Sequence, residues 1–305
     1  MKRVFAIIGV IFFSLQLKGQ VFPLSDHYGY NMLAINPASA GCDHTLSATL
    51  LYRRQWVGFK DASKNQSLAV HAPLNFDQMG LGLLIENNNI GIFRQTNLMA
   101  NYAYRRELYG GKLSLGLGFG ISLYHNSWED LQANDANDFE LINNPVSAAL
   151  PSFSLGIYYY TKKYYFGISL PRFLTQEQDP NSGKYKIKND YSQYQYFATG
   201  GYTFDLDDQF SISPSFLLKY RPSTPLQFDY TVQFSYRNRI QAGIGYRTKS
   251  VLIGILQCRI NDQLKLAYSY DIDAGSLGKY KSGSHEIGLN YIFSYTAKVA
   301  GPRNF

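Results

Sequence analysis

The chain has 305 residues, of which 45% are hydrophobic and 16% aromatic, with 26 Tyr, and its formal net charge is +7. Lys2, Arg3 and Lys18 belong to a leader, and the roughly +4 left without them is too mild a balance to imply a nucleic-acid partner. The two cysteines, Cys42 and Cys258, have the wrong count and spacing for a metal site or a disulfide scaffold, though they remain free to pair in an oxidising compartment.

Residues 1–19 read as a signal peptide: Lys2 and Arg3 form the charged start, Val4 to Leu17 the apolar stretch, and Leu17-Lys18-Gly19 a cleavage site before Gln20. The apolar run is shorter than the roughly 20 residues a spanning helix needs. No cysteine stands at the cleavage point to carry a lipid anchor. Residues 20–44 then hold Tyr28, Tyr30, Asn31, Met32 and Asn36-Pro37-Ala38-Ser39-Ala40-Gly41, a mixture of aromatics and turn formers. That mixture suits two arrangements equally, a plug folded into a lumen or a strap along a periplasmic rim.

From residue 45 to 295 the pattern is one of strands. The passage Leu113 to Leu123 reads L-S-L-G-L-G-F-G-I-S-L, apolar at every odd position and Gly or Ser at every even one. Side chains on a strand alternate faces, so one face is greasy and the other is stripped of bulk, as expected where lipid lies outside and a lumen inside. Similar parity marks segments at 45–56, 65–73, 79–87, 94–107, 111–124, 152–161, 163–171, 191–206, 209–220, 226–237, 240–248, 251–260, 263–273 and 284–295. Outward faces include Leu46, Leu50 and Tyr52; Leu98, Tyr102 and Tyr104; Leu226, Phe228, Tyr230 and Phe234; Leu266 and Tyr268; and Ile287, Leu289 and Tyr295. Their inward neighbours are Gln227, Asp229, Gln233, Arg237, Lys265, Asp271, Glu286 and Asn290, which hydrocarbon would reject.

These segments predict an all-β transmembrane antiparallel β-barrel of about fourteen strands with an N-terminal periplasmic segment. Connection lengths agree, because barrels alternate short periplasmic turns with longer outside loops. Counting from the periplasm, the short connections at 74–78, 108–110, 162, 207–208, 238–239 and 261–262 all fall on one side. The long ones at 125–151, 172–190 and 274–283 fall on the other. Both termini, including the basic tail 296–305, then lie in the periplasm.

Catalytic and metal constellations are missing from the pattern. Ser284-His285-Glu286 puts a Ser, a His and an acid in a row, yet strand neighbours face opposite ways and cannot form a relay. The histidines at 27, 44, 71, 125 and 285 lack zinc spacing, and His71 reads as a lumen residue. Gly116-Leu117-Gly118-Phe119-Gly120 has no helix to follow it, so it fails as a phosphate loop. Asp271 to Gly275 opens like a calcium loop, and 134–140 is acidic, but neither supplies the late bidentate Glu. Of Arg53, Arg54, Arg105, Arg106, Arg237 and Arg247, those that face inward are expected to pair with Asp229, Asp271 and Glu286. No metal or cofactor is expected.

Four passages together resemble one family. They are Asn36-Pro37-Ala38-Ser39-Ala40-Gly41, Leu51-Tyr52-Arg53-Arg54-Gln55-Trp56-Val57-Gly58-Phe59, Gly283-Ser284-His285-Glu286-Ile287-Gly288-Leu289, and the terminal Gly301-Pro302-Arg303-Asn304-Phe305. The sequence resembles the PorP/SprF outer-membrane proteins of the type IX secretion system of Bacteroidota, the last passage departing from a more usual S-P-R-[YF]-F. The resemblance implies a non-enzymatic barrel that helps secreted proteins, often gliding adhesins, reach or stay on the cell surface. Implied partners are the C-terminal domains of those cargo proteins, periplasmic and peptidoglycan-linked secretion components, and outer-membrane lipid. The residues expected to meet partners are Asn31, Asn36, Pro37, Gly41, Arg54, Trp56, Gly58 and Phe59. A passive porin or small-solute transporter is the competing reading; a lumen closed by residues 20–44 would favour the partner-bound component.

Overall fold

The computed structural model describes residues 25–43, 45–74, 78–126, 147–173, 175–178, 185–188, 190–222, 224–248, 250–274 and 283–293. The signal peptide, the acidic stretch 134–140, Gly275 of the calcium-like loop, Tyr295 and the tail 296–305 lie outside the described residues.

Seven strands run in order from the start of the barrel: β1 (Leu46–Arg54), β2 (Lys64–Leu74), β3 (Met79–Ile90), β4 (Phe93–Leu108), β5 (Gly111–Asn126), β6 (Ser147–Tyr160) and β7 (Tyr164–Phe173). A small separate hairpin follows, β8 (Thr175–Gln178) with β9 (Tyr185–Lys188). The wall resumes with β10 (Tyr196–Tyr202) and its short continuation β11 (Phe204–Asp205). It ends with β12 (Phe210–Tyr220), β13 (Gln227–Tyr236), β14 (Ile240–Arg247), β15 (Val251–Arg259), β16 (Leu264–Asp273) and β17 (Ser284–Phe293).

All wall pairings are antiparallel. Each strand pairs with its neighbour in the wall, β1 also meets β17, and β10 bridges β7 and β12. The result is a closed antiparallel barrel of fourteen strands, which leaves no open edge to lipid. Parity holds as the alternation requires. Leu50, Leu117, Phe119, Ile157, Ile244 and Ile287 point outward and are exposed, while Thr49, Ser114 and Glu286 on the same strands, and Asn101 and Asp229 on adjacent ones, are buried inside.

Three expectations need correction. The segment 191–206 is not one strand: Asp190 accepts from the Ser192 N–H and holds Tyr191–Gln193 in a 3-10 turn, so the strand starts at Tyr196 and breaks at Thr203. The connection 172–190 carries the β8–β9 hairpin. Arg237 is not a lumen residue. It turns the chain between β13 and β14 with φ of 50°, beside Asn238 at 53°, the positive angles that a tight hairpin demands. Its Nε donates to Gln209 Oε1 at 3.1 Å. Cys42 and Cys258 are not joined by a disulfide.

Residues 25–43 lie inside the barrel. Short 3-10 turns at Met32–Ala34 and Pro37–Ser39 fold them, the second started by Asn36, whose Oδ1 accepts from the Ala38 N–H at 3.0 Å. The stripped face of the wall makes the room. A Cβ on Gly116 would strike the Ala38 backbone, one on Gly156 would strike Asn36 Oδ1, and one on Gly80 would strike the Ala40 carbonyl. Bulk removed from the lumen side of β3, β5 and β6 is therefore refilled by the segment. Leu33 and Ala40 close a small apolar core with Ala69, Leu84, Met99 and Ala103 of the wall, and Tyr28 and Ile35 close another with Phe197 and Leu217.

Candidate functional site

The site is built where the inner segment meets the charged part of the wall. Strand parity sends Arg53 of β1, Asp229 of β13, Arg247 of β14, Asp271 of β16 and Glu286 of β17 into the lumen, all buried. Asp26 of the segment reaches the centre of this group. Arg53 binds the Asp26, Asp271 and Glu286 carboxylates, the last at 3.1 Å. Arg247 donates through Nε to Asp229 Oδ1 and through Nη2 to Asp26 Oδ1, each at 3.0 Å. Ser269 Oγ donates to Asp26 Oδ2 at 2.9 Å, and the Asp26 N–H donates to Glu286 Oε2 at 2.7 Å. Lys219 Nζ lies 3.7 Å from Asp229 Oδ2.

Buried ion pairs survive only when the charges are matched and hydrogen-bonded, and this set spreads two guanidinium forks over four carboxylates, leaving Arg53 Nε and Arg247 Nη1 without a hydrogen bond. Burial alone would raise the Asp26 pKa, but Arg53 and Arg247 outweigh it and hold the carboxyl well below the usual range. His27 beside it goes the other way. Burial lowers its pKa despite the opposing pull of Glu286 and Asp26, so the imidazole is neutral, and neither ring nitrogen has a hydrogen-bond partner.

The segment divides the lumen into two chambers. Towards the end of the long connections, about 100 Å³ is bounded by Arg53, Asn65, Glu86, Asn88, Arg172 and Lys219. Towards the end of the short turns, about 290 Å³ is bounded by Tyr30, Asp43, Gln233, Arg239, Gln257 and Lys265. The expected inward pairing with Asp229, Asp271 and Glu286 is found for Arg53 and Arg247 but not for Arg105, which is also buried inside and donates through Nη2 to the Ala40 carbonyl at 2.9 Å. Asp26 was not singled out from the sequence, because nothing periodic marks the segment that carries it.

The eight expected contact residues fall into two groups. Asn31, Asn36, Pro37 and Gly41 are buried in the lumen. The Asn36 Nδ2 donates to the Ile157 carbonyl at 3.0 Å, Asn31 Nδ2 donates to Ser67 Oγ at 3.4 Å, and the Gly41 N–H donates to His71 Nδ1 at 3.1 Å. Gly41 has φ of 72° and the Ala72 carbonyl stands 2.7 Å from where a Cβ would be, so only glycine fits. Arg54, Trp56, Gly58 and Phe59 lie at the other end of β1, on the rim of the long connections. Phe59 is 55% exposed, and the turn there is tied down by the Trp56 N–H donating to Ser284 Oγ at 3.3 Å. These are the motif residues still accessible from outside the barrel.

A family model described as type IX secretion system membrane protein PorP/SprF matches residues 18–291. The chain belongs to the PorP/SprF family. Its membership makes it a membrane component of type IX secretion, located in the outer membrane. A search of curated protein sequences finds no match. Among solved structures the PorP/SprF chain is similar to the CymD monoaromatic hydrocarbon channel, at 12% identity and a TM-score of 0.54, covering 91% of this chain and 95% of that one. It is also similar to a Pseudomonas aeruginosa FadL homologue, at 11% identity and a TM-score of 0.50, covering 90% and 96%. At such identities the likeness establishes the shared outer-membrane barrel fold.

Proposed function

We propose that this PorP/SprF barrel is a non-enzymatic, partner-bound component of type IX secretion that helps export cargo proteins, gliding adhesins among them, or holds them at the surface. Its contacts are the C-terminal domains of those proteins together with periplasmic and peptidoglycan-linked secretion components. The observation that supports this reading is the filled lumen: residues 25–43 occupy the space a porin would leave to solute, and they are tied to the wall through Asp26. A barrel whose interior is spent on its own chain offers its two rims and its outer face to partners. In this reading the long connections face outside and the short turns face the periplasm. The rim around Trp56, Gly58 and Phe59 then meets cargo, while Asn31, Asn36, Pro37 and Gly41 serve through the plug.

Purification of the tagged full-length protein from native membranes tests the reading. Recovery of cargo C-terminal domains and periplasmic secretion proteins supports it, with loss of cargo on Trp56→Ala and Phe59→Ala in a barrel that still folds. Recovery of the barrel alone would return the account to a solute porin.

A further inference from the structure

One stretch of the wall is thinner than the rest. β10 has seven residues, fewer than any other spanning strand, and its ladder with β12 runs from Tyr196–Tyr220 to Gly201–Ser215. The ladder resumes in the same register at β11, with Phe204 opposite Ile212. The two positions between, Tyr202 facing Pro214 and Thr203 facing Ser213, have no ladder pairing. The cause lies in the sequence. The Thr203 N–H is turned to the Lys163 carbonyl beyond the end of β7, at 2.7 Å, so alternation turns the polar groups of Tyr202 towards β12. There Pro214 has no N–H to give, and proline inside a sheet interrupts its ladder. A side-chain pair, Thr203 Oγ1 and Ser213 Oγ at 3.0 Å, spans the strands at this point.

Cavities lie on both sides of this seam. Inside is the polar short-turn chamber, which reaches Tyr165, Gly201, Ser213 and Ser215 and carries Arg239, Arg259 and Lys265 against Asp43 and Asp26, the latter already paired with Arg53 and Arg247. Outside is an apolar cleft of about 560 Å³ between Tyr164, Phe166, Gly200, Pro214, Phe216 and Tyr230. Two rings lie across the glycines between them. The Tyr165 ring comes within 2.6 Å of where a Gly201 Cβ would be on the lumen side, and the Phe216 ring within 2.8 Å of the Gly200 position on the lipid side. A side chain at either glycine would displace its ring.

We propose that the β10–β12 seam is a lateral portal that takes a single-chain anionic amphiphile from the surrounding lipid. The hydrocarbon chain lies in the outer cleft and the acidic head enters the short-turn chamber. The apolar cleft on one side, the surplus of cations on the other and the missing ladder pairs between them define that ligand class. A neutral chain would gain the cleft but not the chamber.

The experiment uses the full-length barrel in neutral nanodiscs with a photoreactive palmitate, mapping cross-links by mass spectrometry. Label is expected to concentrate on residues 200–202 and 214–216, and the matching fatty alcohol to label them roughly tenfold less. Pro214→Ala restores the missing donor and Gly200→Leu fills the cleft; each is expected to lower labelling while heat-resistant folded barrel is retained. Label spread evenly over the lipid face, equal labelling by acid and alcohol, or labelling unchanged in both folded variants would each overturn the portal.

Discussion

Without the Asp26 carboxylate, the wall would keep three carboxylates, Asp229, Asp271 and Glu286, against three cations, Arg53, Arg247 and Lys219. Such a balanced set can be solvated once water enters the lumen, so Asp26→Ala should release the segment without unfolding the barrel. Loss of a buried partner costs about 3–5 kcal/mol where the remaining charge stays buried, and here that cost falls on docking of the segment. Arg53→Met should be worse, because it leaves four carboxylates facing two cations. Protease cleavage within residues 25–43 and heat-resistant migration measure the two effects; barrel loss in Asp26→Ala would show that the segment is needed for the fold. His27 sets the pH dependence. Its pKa is lowered in the docked state from 6.5, so the released segment binds more protons as pH falls through that value, and docking weakens on the acid side. The Asp26 contribution, with its pKa held below 3.8, is intact above that value and lost only in stronger acid. Protection of the segment's amides, taken relative to their intrinsic exchange rate at each pH, should therefore fall from pH 7.5 to 5.5, and His27→Phe should flatten the change.

At the scale of elements, the stripped face of β5 and the greasy face behind it make opposite demands. Gly116→Val should expel the Pro37–Ser39 turn while leaving the barrel closed, read as faster exchange of residues 36–41. Leu117→Arg on the lipid face should cost about 2–4 kcal/mol of barrel stability, read by urea titration in lipid, and a neutral outcome would mean the faces are reversed. Parity made most strands legible, because each inward polar residue and outward Leu or Tyr is fixed by a period of two. It also aimed Arg53 and Arg247 at Asp229, Asp271 and Glu286. It failed at Arg237, where the alternation runs on into a turn that only φ reveals, and at 191–195, where the Asp190 cap overrides aromatic residues that look strand-like. Asp26 was out of reach for another reason: its partners are scattered from Arg53, 27 residues away, to Arg247, Ser269 and Glu286, 221 to 260 residues away, and no local pattern encodes them. The composition of residues 25–43 suits plug and strap alike, and the choice between them is made by the glycines of the wall.

For the molecule as a whole, two claims are open to direct trial. The orientation places the long connections outside, so an epitope tag after Lys60 should be reachable on intact cells and one after Asp208 should not; the reverse labelling would invert the barrel. The central claim is that the chain fills its own lumen and works through partners. Conductance of the purified protein in a planar bilayer tests it most directly, since a barrel of about fourteen strands is wide enough to pass ions when empty. The account predicts a closed wild-type barrel and an open one after deletion of residues 25–41. Steady porin-like conductance of the wild type, unchanged by that deletion, would contradict it.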